Sequence, residues 1–457
     1  MLQTTPRHIA VIDIGKTNAK VVLFDGHDQA QLAALSTPNA VRRDGPYPHA
    51  DTDRLWAFIR DGLAALAREH GVDGISITTH GATAALLAGE DLALPVLDYE
   101  FDGPQATASA YAGVRPDFAE SLSPRLPNGL NLGAQLFWQS QRFADRFAAV
   151  TAILPYPQYW AWRMTGVSAS EVTSLGCHTD LWAPGRGDFS SMVDRLGWRG
   201  LFPPVRPAIS TLGVVRPELA AETGLAAGTP VACGIHDSNA SLLPHLGQHE
   251  TPFTILSTGT WVIAMTVGGE TSGLDQHRDS LANVDAHGRP VPTARFMGGR
   301  EFDLLVPEIV EPEAADIALV IEGDVQVLPS FVAAVGPFGG RPGRWTVPPD
   351  TLTPARRSAA ASLYLALMAR ECLTLCGLGR SITLEGPLAR NRLFGAALAS
   401  LTGVPVFASG DATGTSLGAS LLFGAAPAPG RTAPPLAPLE APGLADYARR
   451  WRQRAAG

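Results

Sequence analysis

Lysine is nearly missing from this 457-residue chain. Two occur, Lys16 and Lys20, and arginine supplies every other basic position. That scarcity excludes the lysine-rich patches that draw nucleic acid or anionic membrane to a surface. The balance of 43 acidic against 35 basic residues, a net charge of −8, points the same way. Cysteine is also scarce, at four. Four in a chain this long make no disulfide framework, and no Cys-x-x-Cys pair or histidine cluster offers a zinc site. Cys372 and Cys376 fall four apart on an expected helix, Cys177 and Cys233 stand alone, and buried thiols are the expectation for all four. Charged residues make up only 17%, yet no stretch near twenty residues is apolar without interruption, so no membrane span is expected. No apolar leader precedes the strand beginning at Ile9, which points to a cytoplasmic protein.

What is present is ample core: 46% of residues are hydrophobic, and the length argues for two large domains. The two lysines share one loop, in the run Ile9-Ala10-Val11-Ile12-Asp13-Ile14-Gly15-Lys16-Thr17-Asn18-Ala19-Lys20. Independent placement would bring two lysines this close about 2% of the time, so the loop calls for a chemical reason. An ammonium is a compact, flexible point charge where a guanidinium is a planar fork. Set beside an apolar strand, a glycine, Thr17, Asn18 and Asp13, these charges suggest a phosphate cradle. The plainer alternative is a solvated hairpin turn.

The first part of the chain alternates strand and helix signals. A helix is expected from Asp53 to His70, with Leu55, Phe58, Ile59, Leu63 and Leu66 on one face, and a short buried strand from Gly74 to Thr79 leads into His80-Gly81. This alternation argues for an α/β architecture. After a loop-rich stretch from Leu181 to Pro217, a strand at Pro230–Ile235 runs into His236-Asp237-Ser238-Asn239. Thr254–Leu256, the turn Ser257-Thr258-Gly259-Thr260 and Trp261–Val267 repeat the plan of the N-terminal loop, which hints at two related halves. A long helix is expected at about Pro354 to Leu378, where Arg370 and Glu371 speak against a membrane role. Strand, turn Glu385-Gly386-Pro387, helix, strand and a glycine-rich turn into a helix from Thr415 follow. The last thirty residues read as a Pro/Ala linker with a peripheral basic tail.

Gly15-Lys16-Thr17 imitates the end of a P-loop, but position 10 is alanine where that pattern needs glycine, and the strand resumes instead of opening a helix. No dinucleotide-type glycine fingerprint follows either. A glycine at the bend lets backbone N–H groups approach phosphate, and Thr17, Asn18 and the lysines can add donors. Asp13 would repel phosphate directly; it suits holding the waters of a Mg²⁺ ion, which binds through few carboxylates. Ser257–Thr260 offers uncharged donors of the same kind. Asp237, after an apolar strand, can take the proton of a hydroxyl as its oxygen attacks phosphorus, or it can cap the helix starting near Ser238. His80 can contact a sugar hydroxyl or satisfy a neighbouring carbonyl. Asp98, Glu100 and Asp102 are open to polyol recognition or plain solvation, and Trp160 and Trp162 read as packing.

Taken in order, Asp13-Ile14-Gly15-Lys16-Thr17-Asn18, Gly234-Ile235-His236-Asp237, Ser257-Thr258-Gly259-Thr260-Trp261 and Glu385-Gly386-Pro387 with Asn391 resemble the motifs of FGGY carbohydrate kinases. Pro155–Gly166 is similar to that family's N-domain motif, and the likeness runs over roughly residues 8 to 425. It implies two actin-like ATPase (ribonuclease H-like) α/β domains with an interdomain cleft. Residues 1–245 would bind sugar and carry the base, residues 246–428 would bind nucleotide, and residues 429–457 would form the linker and tail. By the same likeness Asp237 is the catalytic base. Gly15, Lys16, Thr17, Asn18, Lys20, Thr258, Gly259 and Thr260 hold ATP phosphates. Gly386, Pro387, Asn391 and the Asp411–Gly414 turn, ending at Gly414, surround the adenosine. His80, Gly81, Glu100, His236, Asp237 and Asn239 would meet the sugar, and Asp13 would hold Mg²⁺ through water.

The first loop departs from the family's usual Gly-Thr followed by Ser and Arg, Glu385 stands where the adenosine motif often has a glycine, and the Asp279–Arg344 region is short. His80-Gly81-Ala82-Thr83 is similar to the sugar turn of rhamnulose-type relatives. The implied activity is transfer of the γ-phosphoryl of ATP to a small sugar, a rhamnulose-like deoxyketose first, with a polyol as alternative acceptor. A non-catalytic sugar or nucleotide sensor, or a partner-coupled ATPase, are the competing classes. Expected partners are the sugar and ATP, with room for a homodimer and without nucleic acid or membrane.

Overall fold

The computed structural model describes residues 6–332, 335–409, 414–424 and 434–457. It divides into two units. The first takes the described residues of Met1–Gln248, Asn283–Arg289 and Thr413–Gly430; the second takes those of His249–Ala282, Pro290–Ala412 and Arg431–Gly457.

In the first unit, β1 (His8–Ile14) is buried from Ile9 onward on both faces, as its unbroken apolar run requires of a central strand. It pairs antiparallel with β2 (Asn18–Asp25), which pairs antiparallel with β3 (Gln31–Pro38). On its other side β1 pairs parallel with β4 (Gly74–Thr79). The crossover between them is the helix Thr52–Glu69, capped by Asp51, which accepts a hydrogen bond from Arg54 N. Its Leu55, Ile59, Leu63 and Leu66 are buried at helical spacing against β1, β2 and β4. Beyond β4 come β6 (Pro230–Ala232), parallel to it, and β5 (Thr211–Val214), antiparallel to β6; β7 (Ile235–His236) also pairs parallel with β4. The sheet order is therefore β5-β6-β4-β1-β2-β3, with β7 beside β4. The helix Thr415–Ser420 closes the opposite face, where Ala419 and Leu422 join Ile9 and Val11 in a second core.

The second unit repeats this plan. Here β8 (Phe253–Thr258) pairs antiparallel with β9 (Val262–Val267) and parallel with β12 (Ile382–Glu385). The sheet reads β10 (Ser280–Val284), β11 (Pro290–Phe296), β9, β8, β12 and β13 (Val406–Ala408). In both units a first strand turns back through a glycine hairpin into an antiparallel second, and takes a parallel neighbour on its other side. The helix Pro354–Cys376 is long and apolar enough to cross a membrane by length and composition, but it is a core helix, buried for most of its length. All four cysteines are buried and unbridged.

The expected peripheral tail needs correction. The helix Leu444–Ala456 belongs to the second unit's core: Trp451 is 1% exposed and donates from Nε1 to Val327 O at 2.7 Å, and Tyr447 Oη donates to Val325 O at 2.7 Å. Its arginines face outward and pair, Arg450 and Arg454 with Asp324 and Arg452 with Glu371. A basic composition thus hides an amphipathic helix whose aromatic face is structural.

Candidate active site

Parallel register brings the first unit's chemistry together. Asp13 and Ile235 lie in the row of Thr78, and Ile14 and His236 lie in the row of Thr79. His80 and Asp237 are the next residues on their strands, so three C-terminal strand ends deliver Asp13, His80 and Asp237 to one rim. This is the edge at which open α/β sheets bind ligands.

Asp13 is buried, and its Oδ2 accepts a 2.5 Å hydrogen bond from Ser416 Oγ. Burial pushes its carboxyl above the usual range; Ser416 and Lys20, its cross-strand partner, pull it back, and the nearby charge of Asp237 raises it further. Asp237 keeps 31% of its side chain exposed. Its Oδ1 accepts from Ser238 N at 2.6 Å and lies 3.0 Å from His236 Nε2. Burial works to raise this carboxyl, but His236, then His80 and the Ser238 amide, hold it below the usual range. His80 is held low by burial, with its ring against Tyr99 and Tyr156 at 5.3 Å each.

The loop between β1 and β2 has the polarity an anion needs. Gly15 N donates to Asn18 O at 2.9 Å, and the carbonyls of Gly15 and Thr17 are taken by Asn39. The amides of Lys16 and Thr17 donate to no described residue, and Thr17, Asn18 and Lys20 are exposed. Lys16 turns elsewhere. Its ammonium pairs with Asp98, approaches Glu100 Oε2 at 3.3 Å and sits 4.8 Å above the Tyr99 ring. Expected as a phosphate ligand, it instead ties the hairpin to the acidic segment, because Asp98 is nearly buried and needs a counter-charge. Glu100, expected at the sugar, is half of that pairing.

His236 and Asn239, also expected to meet sugar, are buried. His236 Nδ1 contacts Asn239 Oδ1 at 2.9 Å, and Asn239 Nδ2 donates to Val284 O. They brace Asp237 from behind. Gly81 stands where a Cβ would come within 2.6 Å of His236 Nε2, so a side chain there would displace the imidazole. Unforeseen from sequence were Cys177, 3.7 Å from His236 Nε2, and the buried Glu171. Glu171 accepts from Thr173 N at 3.0 Å and Thr173 Oγ1 at 2.5 Å, while Thr173 Oγ1 accepts from His236 N at 3.1 Å. Burial drives the Glu171 carboxyl up to about 7. Glu171-Val172-Thr173 has the spacing of an N-cap, the one local signal that marked it.

In the second unit the hairpin after β8 bonds similarly, Gly259 N donating to Trp261 O at 2.8 Å. Thr260 is exposed, but Thr258 is not a free donor. Its buried hydroxyl donates to Glu385 O at 2.5 Å and accepts from Leu388 N at 3.1 Å, fixing the Glu385-Gly386-Pro387 turn. Gly386 has φ +85°, and a Cβ there would fall 1.8 Å from Thr258 O. Gly259, Thr260, Pro387 and Asn391 line a cavity of about 720 Å³, a size that takes a nucleoside. Asn391 lines it while its side chain is used locally: Oδ1 accepts from Phe394 N at 3.0 Å as a helix cap, and Nδ2 donates to Ser362 Oγ at 2.9 Å. Gly386 itself is not among the lining residues. The remaining wall comes from residues that sequence reasoning left unassigned, including Phe302, Asp303, Ile309, Pro312 and Ile317. The expected Asp411–Gly414 turn lies largely outside the described residues. Gly414 does not line the cavity; it caps the helix that carries Ser416 to Asp13.

Residues 8–244 match the N-terminal domain of the FGGY family of carbohydrate kinases, and residues 250–432 match the FGGY C-terminal domain. The chain belongs to the FGGY family. A carbohydrate kinase from Novosphingobium aromaticivorans is 38% identical and superposes with a TM-score of 0.90 over 99% of each chain. Among curated relatives, the L-fuculokinase of Salmonella typhi is 27% identical over 290 residues, 61% of this chain and 61% of its own. The L-xylulose/3-keto-L-gulonate kinase of Escherichia coli is 27% identical over 305 residues, 63% and 58% of the two lengths. The match thus spans about three-fifths of these curated relatives. The FGGY architecture is the two-domain, actin-like ATPase fold, and the repeated sheet plan of the two units is its signature.

Proposed function

We propose that this FGGY protein is an ATP-dependent sugar kinase with Asp237 as the general base. The observation that carries the reading is the convergence of three strand ends on one rim, which sets a partly exposed carboxylate, held ionised, beside His80 and a second carboxylate. In the transfer, the sugar hydroxyl oxygen bonds to the γ-phosphorus, its proton passes to Asp237, and the bond from phosphorus to the β,γ-bridging oxygen breaks to release ADP. Phosphoryl transfer needs mainly positioning and charge neutralisation, so one base and a backbone-rich grip suffice.

The open amides of Lys16 and Thr17, with Lys20, form one phosphate contact, and Gly259 with Thr260 forms another. The 720 Å³ cavity takes the nucleoside, with Pro387 and Leu388 against the base. His80 and the Gly81 turn receive the sugar, Lys16 acting there through Asp98 and Glu100. Asp13 fits a Mg²⁺ site of the water-mediated kind: it is a buried carboxylate whose Oδ1 accepts no hydrogen bond from a described residue, and no cluster of three such ligands occurs among the described residues. When bound, Mg²⁺ would neutralise phosphate charge.

The acceptor we propose is a ketose, supported by the His80-Gly81-Ala82-Thr83 likeness and by relatives named for fuculose and xylulose. Coupled ADP release across ketoses, aldoses and polyols tests this directly. Asp237→Asn should keep ATP binding while turnover falls by about 10²- to 10⁴-fold. Undiminished turnover would remove Asp237 as base.

A further inference from the structure

The two oxygens of Asp237 are not equivalent. All hydrogen bonds of its carboxylate to described residues converge on Oδ1: Ser238 N at 2.6 Å, Ser238 Oγ at 3.4 Å and the contact with His236 Nε2 at 3.0 Å. None reaches Oδ2. The protonation of His236 follows from its surroundings by matching donors to acceptors. Asn239 must turn Nδ2 to the Val284 carbonyl, since the flipped amide would set two carbonyl oxygens together. Its Oδ1 therefore faces His236 Nδ1 as an acceptor, which requires a proton on Nδ1. A neutral ring would then aim the bare lone pair of Nε2 at a carboxylate oxygen. The pair relieves this only by carrying one proton more than a neutral imidazole and a carboxylate.

Building on the kinase reading, we propose that His236 is a positioning residue for phosphoryl transfer. Doubly protonated and braced by Asn239, it clamps Oδ1 of Asp237 and so presents Oδ2 as the oxygen that accepts the sugar proton. The residue is 4% exposed, and its ring occupies the space that a Cβ on Gly81 would need, 2.6 Å from Nε2. The titratable groups facing it are Asp237 and Cys177 at the Nε2 edge, with His80 and Glu171 acting at longer range. The electrostatics agree in direction: burial opposes the imidazolium, but Cys177 and Asp237 raise its proton affinity well above the usual histidine range. A weakened base is tolerable here, because the transition state of phosphoryl transfer is loose and the proton leaves late.

The test has a spectroscopic and a kinetic arm. Two-bond ¹H–¹⁵N spectra of histidine-labelled protein at pH 7.5, assigned with His236→Gln, should show both His236 nitrogens protonated. A bare Nε2 overturns the proposal. Cys177→Ala should leave that pattern intact; its loss would mean that the thiol, not Asp237, holds the proton, which also overturns it. In the kinetic arm, His236→Gln should lower kcat by about 10- to 100-fold with the KM for ATP within about twofold. It should also move the acid limb of kcat/KM upward by about one pH unit, since the cation that depresses Asp237 is gone. A merely structural role would lower kcat and leave the limb in place, and that result refutes the clamp. If no sugar is turned over by the wild-type protein, the kinase reading falls by itself, while the spectra still decide whether His236 holds Oδ1 as a cation.

Discussion

Gly386→Ala probes the join between β8, β12 and the cavity at one atom. The backbone there has φ +85°, which costs an alanine about 1–2 kcal/mol. The new Cβ would also lie 1.8 Å from Thr258 O, a backbone atom within the ladder that pairs Ser257 with Glu385. To regain ordinary contact the two strand ends must part by roughly 1.5 Å. That breaks the Thr258 Oγ1–Glu385 O and Leu388 N–Thr258 Oγ1 bonds, each worth about 1 kcal/mol. The sum is about 3–4 kcal/mol, or a fall in Tm of about 10 °C for a unit of this size. Because Pro387 and Leu388 line the cavity, nucleotide affinity should fall with it, by tenfold or more. Thermal unfolding and titration with a fluorescent ATP analogue measure the two effects on one sample. A variant melting within about 2 °C of wild type with unchanged affinity would refute the account of the turn.

Three further perturbations bear on separate claims. Lys16→Met removes the counter-charge of Asp98; it should raise the KM for sugar several-fold, leave that for ATP within about twofold and cost about 1–2 kcal/mol in denaturant melts. A rise in the ATP constant alone would return Lys16 to the phosphates. Trp451→Ala should destabilise the second unit by about 3–5 kcal/mol through lost burial and an orphaned Val327 carbonyl, and wild-type stability would restore the peripheral reading of the tail. Glu171 is protonated more readily folded, at about 7, than at its ordinary 4.5, so the native state binds the extra proton and its contribution to stability is lost as pH rises through that window. The Tm of Glu171→Gln minus that of wild type should therefore climb between about pH 4.5 and 7 and level off above; a pH-independent difference would show that the carboxyl stays ionised throughout.

Local pattern carried far in this chain. The unbroken run before Asp13, the spacing of Leu55, Ile59, Leu63 and Leu66, and the recurrence of strand, glycine turn and strand at Ser257–Thr260 are written in neighbouring residues, because burial of a strand or a helix face repeats at a short period. Asp237 was legible for the same reason, as an acid placed directly after an apolar strand.

The partners of the site's side chains were decided only by the tertiary structure. Lys16 meets Asp98 from 82 residues away, and Thr258 meets the Glu385 carbonyl from 127. Both looked like ligand groups in isolation, and both are held by buried groups that must be neutralised or hydrogen-bonded wherever the fold brings them. The Leu444–Ala456 helix shows the same division: its arginines announce a surface, and its Tyr447 and Trp451 find a core that only the packed second unit supplies. Periodicity is a property of the segment itself. A partner is a property of the whole chain once folded, because it depends on which distant segment arrives at the same place.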